Sequence, residues 1–186
     1  MTDHLRDESI AIDGVVIVSG PPGSGKSTVS ALLASGFERG VHIESDWFYR
    51  SICSGLIAPH LSAAHEQNTA IMDIATDTAA GFADAGYTVV WDGIVGPWFL
   101  DRVAQRLRSR DVALRYLVLR TDRSTALDRV RQRDGTTETS GAEKMWDQFA
   151  DLGDLQSHAV SAAGAVDEVV ERCRRALGGD ALNVIV

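Results

Sequence analysis

The sequence predicts an α/β fold with a parallel sheet covered by helices on both faces, and three observations carry that expectation. Short apolar, β-branched runs at 15–19, 41–43, 87–91 and 114–119 alternate with stretches whose apolar residues recur at helical spacing. A glycine-rich turn follows the first run at once. Two carboxylates, Asp46 and Asp92, fall just past the ends of predicted strands, at the sheet edge where ligands collect in open α/β folds.

The first element in order is the strand at 15–19, and Gly20-Pro21-Pro22-Gly23-Ser24-Gly25-Lys26-Ser27-Thr28 after it fits G-x-x-x-x-G-K-[ST] in a strand–loop–helix context. Glycines there let backbone N–H groups come close to phosphate oxygens. The helix starting near Gly25 aims its unpaired N–H groups and positive dipole end at the same point. On this reading the loop cradles a polyphosphate, Lys26 reaches the β- and γ-phosphates and the Ser27 hydroxyl takes a Mg²⁺ position. A glycine turn with an incidental Lys-Ser would not require strand, spacing and helix to agree. Nor is a lysine here a matter of composition, because Lys26 and Lys144 are the only two in the chain.

Val29, Leu32, Leu33 and Phe37 then give a helical stripe ending near Gly36 or Gly40. The strand at 41–43 runs into Glu44-Ser45-Asp46-Trp47-Phe48-Tyr49, where Ser45 or Asp46 is placed to cap a helix over 47–54, and Pro59 breaks the segment. A long alanine-rich helix is expected over 62–85, stopped by Gly86. The third strand closes on Asp92-Gly93, and Pro97 opens a helix whose Leu100, Val103, Ala104 and Leu107 share one face. After the fourth strand, helix resumes near Arg123. The polar stretch 129–141 reads as a loop with hinge-like glycines. Helix over 142–152, a short strand at Ala159-Val160 and an amphipathic helix carrying Val166, Val169, Val170, Cys173 and Leu177 complete the chain.

The 186 residues suit one domain over 1–186, with 1–13 as a flexible tail. A net charge of −8 argues against a nucleic-acid partner, whose binding depends on basic residues displacing counterions. Arginines gather at 102, 106, 108, 110 and 115, read as a solvated helix face, and at 120, 123, 129, 131 and 133, where a phosphate site needs cations. Cys53 and Cys173 lie in no metal or disulfide spacing. With no signal-peptide core and no membrane span, a cytoplasmic location and no membrane partner are expected; oligomeric state is open.

Asp46 is placed either to take the proton of an acceptor hydroxyl attacking the γ-phosphate or to cap a helix, with Glu44 as a second candidate for the base. Asp92 suits a Mg²⁺ ligand, direct or through water, or an ordinary Asp-Gly turn. Arg129 and Arg133, four apart, share a helix face: one would stack on an adenine and the other neutralise the transferring phosphoryl group, unless both are surface charge. Arg131, off that face, is read as exposed. Trp47, Phe48, Tyr49 and Trp98 either wall a small-molecule pocket or pack in the core.

With these residues placed, the chain resembles P-loop small-molecule kinases: gluconate and shikimate kinases, chloramphenicol phosphotransferase, the tunicamycin-resistance ATP-binding protein and zeta toxins. It looks closest to uncharacterised bacterial ATP-binding proteins of that group. The resemblance covers most of residues 14–178. It implies a three-layer P-loop nucleoside triphosphate hydrolase fold with sheet order 2-3-1-4-5, ATP with Mg²⁺, and a lid over 134–141 that carries Arg133. By the same resemblance Asp46 matches the acidic residue that contacts the hydroxyl acceptor, a small molecule. No glycine triplet follows the third strand as in shikimate kinase, which disfavours shikimate itself. The absence of Asn-Lys-x-Asp argues against a GTPase, and the absence of a Glu after Asp92 against a motor ATPase. The alternative is a nucleotide-binding regulatory protein or ATPase that transfers nothing to an acceptor.

Overall fold

The computed structural model describes residues 12–135 and 137–184. Strand β1 (Val15–Ser19) is buried along its whole length, as a central strand covered on both faces must be. A loop over 20–25 leads into helix α1 (Lys26–Ser35), which turns Val29, Leu33 and Ala34 inward and stops at Gly36. Strand β2 (Gly40–Glu44) passes directly into the short helix α2 (Ser45–Arg50). A 3-10 turn at Ser62–Ala64 precedes helix α3 (His65–Asp84), then strand β3 (Thr88–Asp92) and helix α4 (Pro97–Arg108). Strand β4 (Leu114–Arg120), helices α5 (Arg123–Asp134) and α6 (Ser140–Gln148), strand β5 (Ala159–Ser161) and helix α7 (Val166–Leu177) follow.

The strands pair in parallel in the order β2-β3-β1-β4-β5. Alternation along each strand divides the core. Val15, Ile17, Trp91 and Tyr116 pack under α3 and α4, while Val16, Val18, Val90 and Leu117 pack under α1 and α7. Register sets Asp92 beside Val18 on one side and Glu44 on the other, so the carboxyl ends of β1, β2 and β3 form one edge. The segment after β3 is pinned over that edge, because Ser19 Oγ and Tyr116 Oη both donate to the Val95 carbonyl, at 2.8 and 2.7 Å. Among the described residues no helix is long and apolar enough to cross a membrane.

Several local expectations are corrected. Of the tail expected at 1–13, residues 1–11 lie outside the described residues, and Ile12 is already buried in the core. Helix α2 starts at Ser45 with Glu44 as its N-cap and no side chain capping it, so Asp46 sits in the first turn and not at the cap. Helix α5 runs on to Asp134, where a loop was expected from 129. Asp122 caps its start by accepting from the Thr125 N–H, its apolar face continues through Ala126, Leu127 and Val130, and Gly135 ends it in the left-handed conformation at φ 64°. Within 129–134 only Val130 is buried, so the stretch shows little apolar period although it is helical. The expected lid segment 134–141 therefore includes the last residue of α5, Asp134, and the first two of α6, Ser140 and Gly141. Helix α6 itself ends at Gln148, earlier than the expected 152, and Phe149 and Leu152 tuck into the core beyond it.

The arginines of α4 are more than a solvated face. Arg102 grips Asp73 with two hydrogen bonds of 2.7 Å and Arg106 grips Asp77 at 2.7 and 2.6 Å, tying α4 to α3, and Arg110 in the turn after α4 pairs with Asp84. Pairs this exposed set helix register more than they stabilise.

Candidate functional site

The loop between β1 and α1 is built for close backbone approach. Gly20, Gly23 and Gly25 have φ of 140°, 78° and 90°. At Gly23 a Cβ would lie 2.1 Å from the Ala126 carbonyl oxygen of α5, so no other residue fits. Gly25 is the N-cap of α1 and offers no side chain, which leaves the first N–H groups of the helix unsatisfied from within. Ser24 Oγ is buried without a hydrogen-bond partner among the described residues, and Ser27 and Thr28 are exposed on the first turn of α1. Pro21 is buried and accepts from Lys26 Nζ at 2.9 Å, while Pro22 faces a cavity beside the loop.

Lys26 is the electrostatic centre. Burial brings its ammonium down to about 8, against the opposing pull of Asp92 and then Asp46, and with a small further push from Arg133. Asp46, Asp92 and Arg133 thus act on one lysine although they come from the first turn of α2, the end of β3 and the end of α5. Asp92, buried at the end of β3, accepts from Ser27 Oγ at 3.3 Å through one oxygen and meets His42 Nε2 at 2.6 Å through the other. Ser27 and Asp92 are the pair expected at a Mg²⁺ position. Among the described residues no group of three or more His, Cys, Asp and Glu is arranged to hold a metal alone. Two oxygen donors beside an anion cradle are the donor set Mg²⁺ takes when substrate phosphates and water complete its octahedron.

Arg129 donates from Nη1 to the Gly23 carbonyl at 3.2 Å, so it lies against the glycine loop. Arg133 lies on the cavity wall and forms two hydrogen bonds to Asp134, at 2.7 and 3.0 Å, which with the nearby Asp46 raise its pKa further. Arg131 pairs with Asp128 at 2.8 Å on the outer face, as expected. Glu44 lies 3.6 Å from Arg50, and Asp46, not Glu44, lines the cavity.

That cavity, of about 840 Å³, opens between α2, the 59–72 segment, the start of α4, the end of α5 and α6. Of the four aromatic residues expected near the aspartates, Tyr49 and Trp98 line it. Phe48 is core and Trp47 is exposed, the two meeting edge to face at 5.4 Å. Tyr49 is pushed up to about 12 by burial and by the Asp46 charge, which keeps a neutral phenol beside that carboxylate. Two further residues carry little or no sequence signal. His42 is a lone histidine in a β-strand, and its partner appears only when strand register sets β2 beside β3. Lys144 on α6 lines the cavity 118 residues from its only fellow lysine, and only the rarity of lysine in this chain marks it.

No functionally curated protein matches this sequence. Solved structures with the same fold include the tunicamycin resistance protein of Deinococcus radiodurans, 14% identical at a TM-score of 0.68 over 90% of this chain and 96% of that one. A gluconokinase from Sinorhizobium meliloti 1021 is 19% identical at a TM-score of 0.66, covering 89% and 91%. The Mycobacterium tuberculosis APS kinase, solved with AMPPNP and APS, is 15% identical at 0.65, covering 91% and 100%. A model of the AAA domain family matches residues 15–152, a span that takes in the glycine loop, Asp46, Asp92, Arg129 and Arg133. Sharing that span and the P-loop kinase-like sheet order, the chain belongs to the AAA domain family.

Proposed function

We propose that this protein is an ATP-dependent phosphotransferase that moves the γ-phosphoryl group of ATP to a hydroxyl of a small molecule. The observation that supports it most is that Asp46, whose charge acts on Lys26, lines an 840 Å³ cavity opening beside the glycine loop. A nucleotide switch needs the loop alone. On this reading residues 1–186 form one kinase domain and 134–141 its lid. The backbone N–H groups of residues 20–28 hold the phosphates, Lys26 meets the β- and γ-oxygens, and Arg129 and Arg133 add positive charge from α5. Ser27 and Asp92 would hold Mg²⁺, which when bound neutralises phosphate charge. His42 fixes the Asp92 carboxylate from behind. Asp46 accepts the acceptor's hydroxyl proton as that oxygen forms a bond to the γ-phosphorus, and the bond to the β–γ bridging oxygen breaks to leave ADP. A panel of small hydroxylated compounds tests this through ADP release. At least one should stimulate it well above the rate with water alone, and uniform failure to stimulate overturns the reading.

The depressed Lys26 pKa gives ATP affinity a pH dependence of known sign. In the free protein Lys26 loses its proton near pH 8. Phosphate oxygens favour the ammonium, so the bound state holds more protons than the free one above that pH. Affinity should therefore fall as pH rises from 8 towards 10, by up to about tenfold per unit. Calorimetry in buffers of differing ionisation enthalpy should show proton uptake on binding near pH 8.5. A flat affinity from pH 7 to 9.5 would contradict this charge assignment.

A further inference from the structure

We propose that the acceptor carries a planar apolar group that stacks on Trp98 while its reacting hydroxyl lies at Asp46, an inference that rests on the kinase reading above. Size is the first support. About 840 Å³ lies near the upper end of the roughly 300–1,000 Å³ of drug-sized pockets, and a six-carbon sugar or sugar acid would fill only a small part of it.

The second support is how Trp98 is held. It is 51% exposed although it lines the cavity. Its indole lies directly over Gly96, where a Cβ would come within 2.3–2.5 Å of three of its ring atoms. Gly96 has φ −74° and ψ 167°, an extended conformation open to any residue, so the backbone does not require glycine there; what the missing Cβ provides is room for the ring in this pose. From another side Phe149, buried in the core, meets the indole at 5.9 Å and 62°. The result is a large aromatic surface fixed in place yet left partly uncovered, which is how a stacking platform is preorganised.

Wall chemistry is the third support. Tyr49, Phe99, Met72 and Met145 line the same cavity, supplying apolar and polarizable surface. Its cationic side chains are Arg133, already gripped by Asp134, and Lys144, against the carboxylates Asp46, Asp134 and Glu138. That balance disfavours an acceptor that already bears phosphate groups and favours a neutral or weakly charged amphiphile.

The test uses two probes with the same sugar hydroxyls, p-nitrophenyl β-D-glucopyranoside and methyl β-D-glucopyranoside. Both are titrated by ligand-detected NMR onto the full chain saturated with a non-hydrolysable ATP analogue. The aryl glycoside should bind about tenfold more tightly, the scale of one aromatic contact. Trp98→Ala should erase that preference, Trp98→Phe should keep most of it, and Gly96→Ala, which pushes the ring aside, should lose most of it. Affinity for the ATP analogue should be unchanged in all three, which also reports that they fold. Equal affinity for the two glycosides, no binding of either, or a preference that survives Trp98→Ala overturns the proposal. The kinase reading fails separately: aryl selectivity without acceptor-stimulated ADP release would keep the platform and remove the kinase, and stimulation by bare polyols without aryl selectivity would do the reverse.

Discussion

Lys26→Ala should abolish measurable ATP binding and turnover while the protein stays folded. Two hydrogen bonds from an ammonium to charged phosphate oxygens, at about 1.5–3 kcal/mol each, correspond to a loss of at least a hundredfold in affinity. The fold has no such need of the lysine. Its partner in the free protein is the Pro21 carbonyl within its own loop, and burial holds its pKa near 8, below the ordinary lysine value. A base with a folded pKa below its unfolded one binds fewer protons when folded, so at pH 7 the charged lysine opposes folding, and this cost fades as pH rises from about 8 to the unfolded value. The variant's Tm at pH 7 should equal or exceed that of the natural chain. Calorimetric titration with ATP and a thermal melt by circular dichroism check both halves. Undiminished affinity would remove Lys26 from the phosphate site; a large drop in Tm would make it a structural residue.

Asp46→Asn should leave ATP affinity nearly unchanged and lower transfer to the acceptor by roughly a hundredfold or more, the range general-base catalysis contributes. Asparagine keeps the shape of the side chain and removes its ability to take a proton. The competing explanation from the sequence, helix capping, carries little weight in the structure, since Glu44 is the N-cap of α2 and no side chain caps it. Only the interaction of the first-turn Asp46 charge with the helix dipole is lost, about 0.3–1 kcal/mol, so helix stability should change little. One electrostatic side effect is expected: with the Asp46 charge gone, an opposing pull on Lys26 is lost and its pKa should fall further. Steady-state kinetics at pH 7 with a fixed acceptor separate these contributions, because kcat should fall with the KM for ATP held. Full activity in Asp46→Asn would end its role as base, and Glu44 is poorly placed to replace it because it pairs with Arg50 outside the cavity.

What could be read from the sequence was what local chemistry decides. The β1 run is apolar at every position because it lies at the centre of the sheet, and the loop after it is marked by glycines that no other residue can replace, as at Gly23. Pro97 and Gly36 mark the ends of α4 and α1 as expected. The rest is decided by tertiary contacts. Helix α5 looked interrupted because its outer face is wholly polar, and its inner face is only one residue wide near its end, at Val130. The arginines of α4 and of the turn after it have partners only because α3 lies beside them with Asp73, Asp77 and Asp84 at matching height. In the site, Lys26, Ser27 and Asp92 were legible from strand ends and motif spacing. His42 was not, because its contact with Asp92 depends on two strands 50 residues apart being neighbours. Trp98 was singled out by position, yet its fixed pose depends on Gly96 and Phe149 together, and only the folded chain shows that.

In a kinase of this kind the γ-phosphoryl group ends on an acceptor and not on water. The most direct measurement follows the label from γ-³²P-ATP through a single turnover, with the chain in excess over nucleotide and with whichever hydroxylated compound most stimulates ADP release. Label should appear on the acceptor in step with ADP formation, with little inorganic phosphate, and the labelled product should be lost in Asp46→Asn while ATP still binds. Label appearing only as inorganic phosphate, at the same rate with and without the compound, would contradict it.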